Sequence, residues 1–353
     1  NDTMHVPENF EQLCVLFESI ETGSAEKLKL FMQEAEYKYK TGIDNLVYKP
    51  GLSLTEFADM ELIRGVFRLQ VFSSFSKHVR SFFQHPKLIA LMEFPVLFLG
   101  AMPQDTPALY SLMNYAGLKL GTWYPEGGFG KVVEGMAAVA SKHGAVFHLN
   151  ADVQHIHVEE GEAKSLLVNG VAEHFDGIIA AADYHHVESK LLPKALRNYD
   201  EKYWDKKTFA PSCLIFYIGV KKRIDALQHH TLFFDESLDE HAVEIYKQPQ
   251  WPAKPLFYVC CPSKSDNTVA PDGHENIFLL MPIAPGLEDS EAMRGKYFHI
   301  MVNRREKQVG ETIRDVIDYK QSYCVADFIT DYNSYKGNAY GLANTLMQTA
   351  ILK

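Results

Sequence analysis

Five side-chain groupings in this chain have the types and spacing to do chemistry. Gly127-Gly128-Phe129-Gly130 precedes a run of apolar residues at helical spacing, so it places small residues at a helix N-terminus, where main-chain N–H groups can meet an electron-rich ligand. It lacks the G-x-G-x-x-G spacing, because Val133 occupies the third position and no buried strand feeds the turn. A pyrophosphate-binding fingerprint is therefore not expected, although a cofactor ring beside the helix end is compatible. Histidines adjoin at His185-His186 and His229-His230. Neighbours on a strand face opposite sides, so neither pair is expected to close on one metal, and no metal is expected. Asp327 and Asp331 stand at helical spacing inside a segment that reads as strand, which argues against a paired-carboxylate role. Aromatic residues gather before the glycine cluster (Tyr110, Tyr115, Trp123, Tyr124) and near the C-terminus (Tyr332, Tyr335, Tyr340), a lining that suits a long hydrocarbon. No G-x-S-x-G, H-E-x-x-H or Walker loop is present, which leaves hydrolase and phosphoryl-transfer readings without support.

The fifth grouping is a basic, aromatic island in a chain of formal net charge -10. Between Leu62 and Met92 lie Arg64, Arg68, Lys77, Arg80 and Lys87 with Phe67, Phe72, Phe75, Phe82 and Phe83. Cations interleaved with rings are what a segment needs to lie on an anionic bilayer, so Arg64, Arg68, Phe72, Arg80, Phe82 and Phe83 are the expected membrane contacts. The longest nearly apolar run, Leu88 to Met102, contains Glu93 and Pro95 and is too short to span a bilayer. The acidic balance argues against a nucleic-acid partner. Five cysteines without a CxxC pair suit reduced thiols, with neither a disulfide nor a zinc site expected. No signal peptide is expected from the residues after Asn1, and the protein is expected to be cytoplasmic and peripheral to the membrane.

The elements that must position these groups follow from periodicity and turn residues. At 353 residues the chain has room for about two domains. Ala25–Lys40 reads as an amphipathic helix, and Ser53, with Glu56 as capping-box partner, opens another. A helix after Gly128 stops at Gly144; Ala145–Leu149 reads as a strand, and a three-stranded meander follows with its hairpin at Asn169-Gly170. Gly177 to Asp183 is a continuous apolar run ending in an acid, as expected for a strand buried on both faces. This order matches the second half of a flavoprotein-type dinucleotide domain. From Pro211, strands are expected at Cys213–Val220, Thr231–Phe234, Leu256–Cys261, Ile277–Pro282 and Gln321–Phe328, with a helix at Glu291–Gly310. The fold class is α/β plus α+β. We read 1–117 as the first part of a substrate domain, with a membrane-associating region at about 51–102; 118–195 as the middle of the flavoprotein-type dinucleotide domain; 196–335 as the rest of the substrate domain; and 336–353 as a return toward the dinucleotide domain.

The chain resembles the bacterial-type phytoene desaturase family, most closely its flavobacterial members, over essentially its whole length. The resemblance is carried by Pro107 to Met113, Gly121 to Gly128, Ala182 to His186, His229 to Phe234, Val269 to Gly273 and Lys336 to Leu342. It implies an amine-oxidase-like, FAD-dependent enzyme of carotenoid biosynthesis, peripheral to the membrane, that introduces double bonds into a linear carotenoid, phytoene toward lycopene. A hydroxycarotenoid desaturase, a carotenoid isomerase and a catalytically inactive fragment that only binds apolar ligand are the alternatives. Members carry a G-x-G-x-x-G loop and a C-terminal flavin-contacting segment that this sequence does not display, so it resembles the middle and the beginning of the end of such a protein. The resemblance places Val153 and Asp152 at the adenine end of FAD, with Ala182 and Asp183 ending the neighbouring strand and Gly127 and Gly128 as further cofactor contacts. Tyr110, Trp123, Tyr124, Tyr335 and Tyr340 are the expected substrate contacts. A catalytic arginine of some members falls near Ile89, so no catalytic residue is assigned.

Overall fold

The computed structural model describes residues 3–48, 69–70, 72–345 and 348. The chain forms two compact units: Asn1–Trp123 with Leu238–Ala242 and Leu342–Lys353, and Tyr124–Ser237 with Val243–Gly341. No described helix is long and apolar enough to cross a membrane.

The first unit is helical. Helix α1 (Phe10–Ile20) starts where Asn9 Oδ1 accepts the N–H groups of Glu11 and Gln12. Helix α2 (Ser24–Thr41) spans the periodic run read from the sequence. Helix α3 (Phe75–Phe82) is capped by Ser74, and α4 (Pro86–Glu93) by His85 with proline in its first turn. Their apolar faces converge on Leu13, Phe17, Leu28, Phe31, Val79, Phe83 and Met92.

This packing corrects part of the membrane expectation. Phe83 is fully buried, its ring 5.4 Å from Phe17 in an edge-on contact, and Phe82 lies edge-on to Phe31 at 5.4 Å. The rings that the sequence offered to a bilayer are taken by α1 and α2, because core burial removes the same apolar area from water without a lipid partner. Arg80 is half exposed and engages the buried Glu93 at 3.2 Å. Among the described rings of this stretch, Phe72 stands open, at 78% exposure. Arg64, Arg68 and Phe67, and the helix expected from Ser53, lie outside the described residues.

The second unit is built on a five-stranded antiparallel sheet. Its strands are β4 (Ser212–Val220), β5 (His230–Phe233), β6 (Phe257–Cys260), β7 (Glu275–Ile283) and β8 (Ile317–Tyr323), in the order β5-β6-β7-β4-β8. Strand β7 alternates buried and half-buried residues along its length, while β4, flanked by β7 and β8, is buried at nearly every position. Helix α6 (Glu291–Val309) lays Tyr297, Phe298, Met301 and Val302 on the sheet core, with Phe298 edge-on to Phe216 at 5.0 Å.

The smaller sheet is the expected meander: β1 (Val153–Glu159), β2 (Glu162–Val168) and β3 (Val171–His174). Its hairpin holds Asn169 at φ +49° and Gly170 at φ +79°, the backbone a type I′ turn demands. Helix α5 (Phe129–Lys142) precedes it.

Three expectations fail here. Ala145–Leu149 and Gly177–Asp183 form no strand, with a turn at Leu149 and a bend at Ala182, and Ile179 is 96% exposed. An apolar run becomes a strand only when neighbours receive its N–H and C=O groups, and no described strand lies alongside either segment. Helix α5 correspondingly buries none of its apolar residues. The expected strand Gln321–Phe328 ends at Tyr323, and helix α7 (Val325–Tyr332) follows. A capping box starts it, in which Asp327 accepts the Cys324 N–H at 2.8 Å. Cysteine in place of the usual serine or threonine concealed that start.

Candidate functional site

Two neighbourhoods of the second unit gather the residues singled out by the sequence. In the first, Gly127 and Gly128 turn the chain into α5 at φ +79° and +87°, a region that side chains other than glycine adopt only under strain. Asp266 fixes the turn. One of its oxygens accepts the Gly127 N–H at 2.7 Å, while the other accepts the N–H and hydroxyl of Thr268 at 2.8 and 2.6 Å. The Thr268 hydrogen bonds, followed by that from Gly127, hold the Asp266 carboxyl below its usual pKa. Tyr124 also reaches Asp266, and burial pushes its phenol pKa up. Its ring sits edge-on to His229 at 4.8 Å. His229 meets Ser265 Oγ through Nδ1, and His230 meets the Tyr258 hydroxyl at 2.5 Å.

One ring nitrogen of His229, one of His230 and the sulfur of Cys260 all lie within 4.8 Å of one another. The opposite-faces argument fails because β5 begins only at His230, so His229 precedes the strand and is free of its alternation. Burial lowers the pKa of both imidazoles, and for His230 the neighbouring His229 adds to the effect.

In the second neighbourhood Asp183 caps a short helical turn by accepting the His186 N–H at 3.0 Å, and its other oxygen accepts the Tyr335 N–H at 3.3 Å. The Tyr335 ring lies 4.0 Å from His185 and 4.9 Å from Phe209, and its hydroxyl donates to Asp205 at 3.0 Å. Gly337, at φ +66°, comes so close to α7 that a Cβ there would stand 2.6 Å from the Val325 carbonyl oxygen. Ala339 donates to the carbonyl of Pro211, and Ala210 to that of Gly341, so this segment lies against the entry to β4.

The remaining expected residues are dispersed. Asp152 and Ala182 are exposed, while Val153 pairs with Val168 at the start of β1. Tyr340 is exposed. In the first unit, Tyr110 packs on the helical core and Trp123 is 83% exposed, its indole N–H donating to the Leu120 carbonyl. The sequence reading passed over Asp266, Asp205 and the Trp204 aromatic cluster. Only Asp266 left a local signal, the Asp-x-Thr spacing of a side-chain-capped turn.

The first turn of α5 carries no acidic residue, so its N-terminal N–H groups are compatible with electron-rich atoms of a flavin dinucleotide, while the space a Cβ would take at Gly127 and Gly128 is lined by Lys131 and Tyr124. The sequence model of the family described as flavin containing amine oxidoreductase matches residues 7–350, and the chain belongs to that family. Its similarity is to carotenoid desaturases in particular. It is 37% identical to the carotenoid 3,4-desaturase of Haloarcula japonica over all of this chain and 71% of that protein. It is 26% identical to the zeta-carotene-forming phytoene desaturase of Myxococcus xanthus over 96% of this chain and 66% of that protein. It is also 26% identical to the 4,4'-diaponeurosporene-forming 4,4'-diapophytoene desaturase of Staphylococcus haemolyticus, over 99% and 72%.

Proposed function

We propose that the protein introduces a carbon–carbon double bond into a linear carotenoid, and that its substrate is a carotene desaturated at the 3,4 bond. The observation that carries the finer reading is the 37% identity along the whole chain to a 3,4-desaturase, against 26% to phytoene desaturases. Phytoene toward lycopene, the expectation from resemblance, is the second reading, supported by the Myxococcus relative.

FAD, when bound, would supply the two-electron oxidation that forming a double bond requires. The chain's own residues orient and shield. Asp266 holds the turn at Gly127 and so sets where the main chain at the start of α5 faces the cofactor. Asp183 ties the Tyr335 backbone to the end of the 177–183 segment. Tyr124 and Tyr335, both held by hydrogen bonds and ring contacts in the second unit, are our candidates for contacts with the polyene. Clamped rings give an apolar ligand a fixed edge at little cost in side-chain entropy.

The test is expression in two bacterial hosts, one accumulating phytoene and one accumulating lycopene, with pigments separated by chromatography. A red-shifted product from the lycopene host with phytoene untouched supports 3,4-desaturation, and consumption of phytoene moves the assignment to the second reading. Flavin retained by the purified chain with no pigment change in either host would overturn both.

A further inference from the structure

The juxtaposition of His229, His230 and Cys260 serves no step in the function proposed above. It is built by the sheet: His230 opens β5 and pairs across the ladder with Cys260, the last residue of β6, while the Cys261 N–H donates to the His229 carbonyl at 2.8 Å. The two imidazoles lie 4.2 Å apart. Each is oriented by an oxygen on Nδ1, from Ser265 and from Tyr258, which is the outer support that metal-ligating histidines commonly have. The remaining nitrogen of His229, Nε2, is buried with no hydrogen-bond partner in the protein. In the tautomer whose Nδ1–H donates to Ser265, Nε2 presents a buried lone pair without a donor, which is costly and which a cation relieves.

We propose that His229, His230 and Cys260 form a binding site for a divalent cation of the zinc class. Two imidazoles and a thiolate are the donor set such a borderline-soft ion takes, and a fourth position remains for water because His230 is solvent-exposed. Metal–ligand bonds of about 2.0–2.3 Å in a tetrahedron set donor atoms roughly 3.5 Å apart, so separations of up to 4.8 Å need a closure of at most about 1.3 Å. Binding forms one metal–sulfur and two metal–nitrogen bonds, displaces water from the ion and releases the thiol proton to solvent. Ser265, which holds His229, adjoins Asp266, which holds Gly127 and Tyr124; occupancy therefore stiffens the turn before α5.

The experiment uses the whole chain, stripped with chelator and titrated with Co²⁺ as a spectroscopic stand-in for Zn²⁺, and independently dialysed against Zn²⁺ for elemental analysis. The expected result is about one bound ion per chain and a sulfur-to-cobalt charge-transfer band. Cys260→Ser should remove the band, while Cys213→Ser should leave it. Ser265→Ala, which takes away only the support of His229, should weaken binding about tenfold. Absence of stoichiometric metal from the folded wild-type chain, or a band that survives Cys260→Ser, overturns the site.

Discussion

Replacing Phe83 by alanine separates a ring that holds the helical unit together from a ring reserved for lipid. Phe83 is 0% exposed and touches Phe17 edge-on at 5.4 Å, with Phe31 at 6.1 Å. A buried aromatic ring removes about 200 Å² from water, which at about 25 cal/mol per Å² is near 5 kcal/mol. Alanine keeps about 2 kcal/mol of that, and the edge-on contact adds about 1 kcal/mol, so we expect a loss of about 4 kcal/mol, within the range measured for such truncations. The assay is hydrogen exchange by mass spectrometry on the full chain, following amides of α1 and α3. If they exchange through opening of this unit, their rates should rise by roughly a thousandfold, since each 1.4 kcal/mol is a factor of ten. Phe72→Ala, at a site already 78% exposed, should change the same amides by no more than about 0.5 kcal/mol. A Phe83→Ala loss below about 1 kcal/mol, together with weaker sedimentation with liposomes, would refute the core assignment and restore the bilayer reading.

Three further outcomes are expected. Lys38, fully buried among Gln70, Ala108 and Ser111, is lowered by burial to about 8 from 10.5. Between those values the unfolded chain binds the extra proton, so Lys38 makes the first unit more stable as pH rises across that window. Urea midpoints of the wild type and Lys38→Met, compared across that range, should show a rise that the variant lacks. Gly337→Ala, which sets a Cβ against the Val325 carbonyl at a positive φ, should cost about 2 kcal/mol or more in urea unfolding of the second unit. Asp289→Ala should cost about 3 kcal/mol or more by the same measurement. It strips Arg294 of two hydrogen bonds of 2.7 and 2.6 Å and leaves the guanidinium, itself about nine-tenths buried, with Asp327 as its nearest carboxylate.

What was legible in the sequence is what is settled within a few residues. The Asn169-Gly170 hairpin and helices α2 and α6 announce themselves through turn chemistry and 3.6-residue periodicity, and they stand where those signals put them. The runs at 145–149 and 177–183 carry the composition of buried strands, yet strand formation depends on neighbours that composition does not specify. Phe82 and Phe83 carry the same apolar payload whether helix or lipid receives it, so their partners had to be seen. At the site, the glycine turn was readable, but Asp266, 139 residues further on, was not, because nothing local shows which amide a distant carboxylate will accept. The meeting of His229 and His230 with Cys260 depends likewise on a ladder register between β5 and β6.

The interior place of β4, paired along both edges, has a consequence for synthesis of the chain. Its two hydrogen-bonding partners are β7, which begins at Glu275, and β8, which ends at Tyr323, about a hundred residues after Val220. At about 5–20 residues per second, a ribosome leaves this apolar strand without either edge covered for several seconds and without the second for longer. The nascent chain thus offers Leu214, Ile215, Phe216 and Ile218 to any other unpaired strand before its own arrive, and slowing translation between Val220 and Glu275 should raise the fraction lost to aggregation.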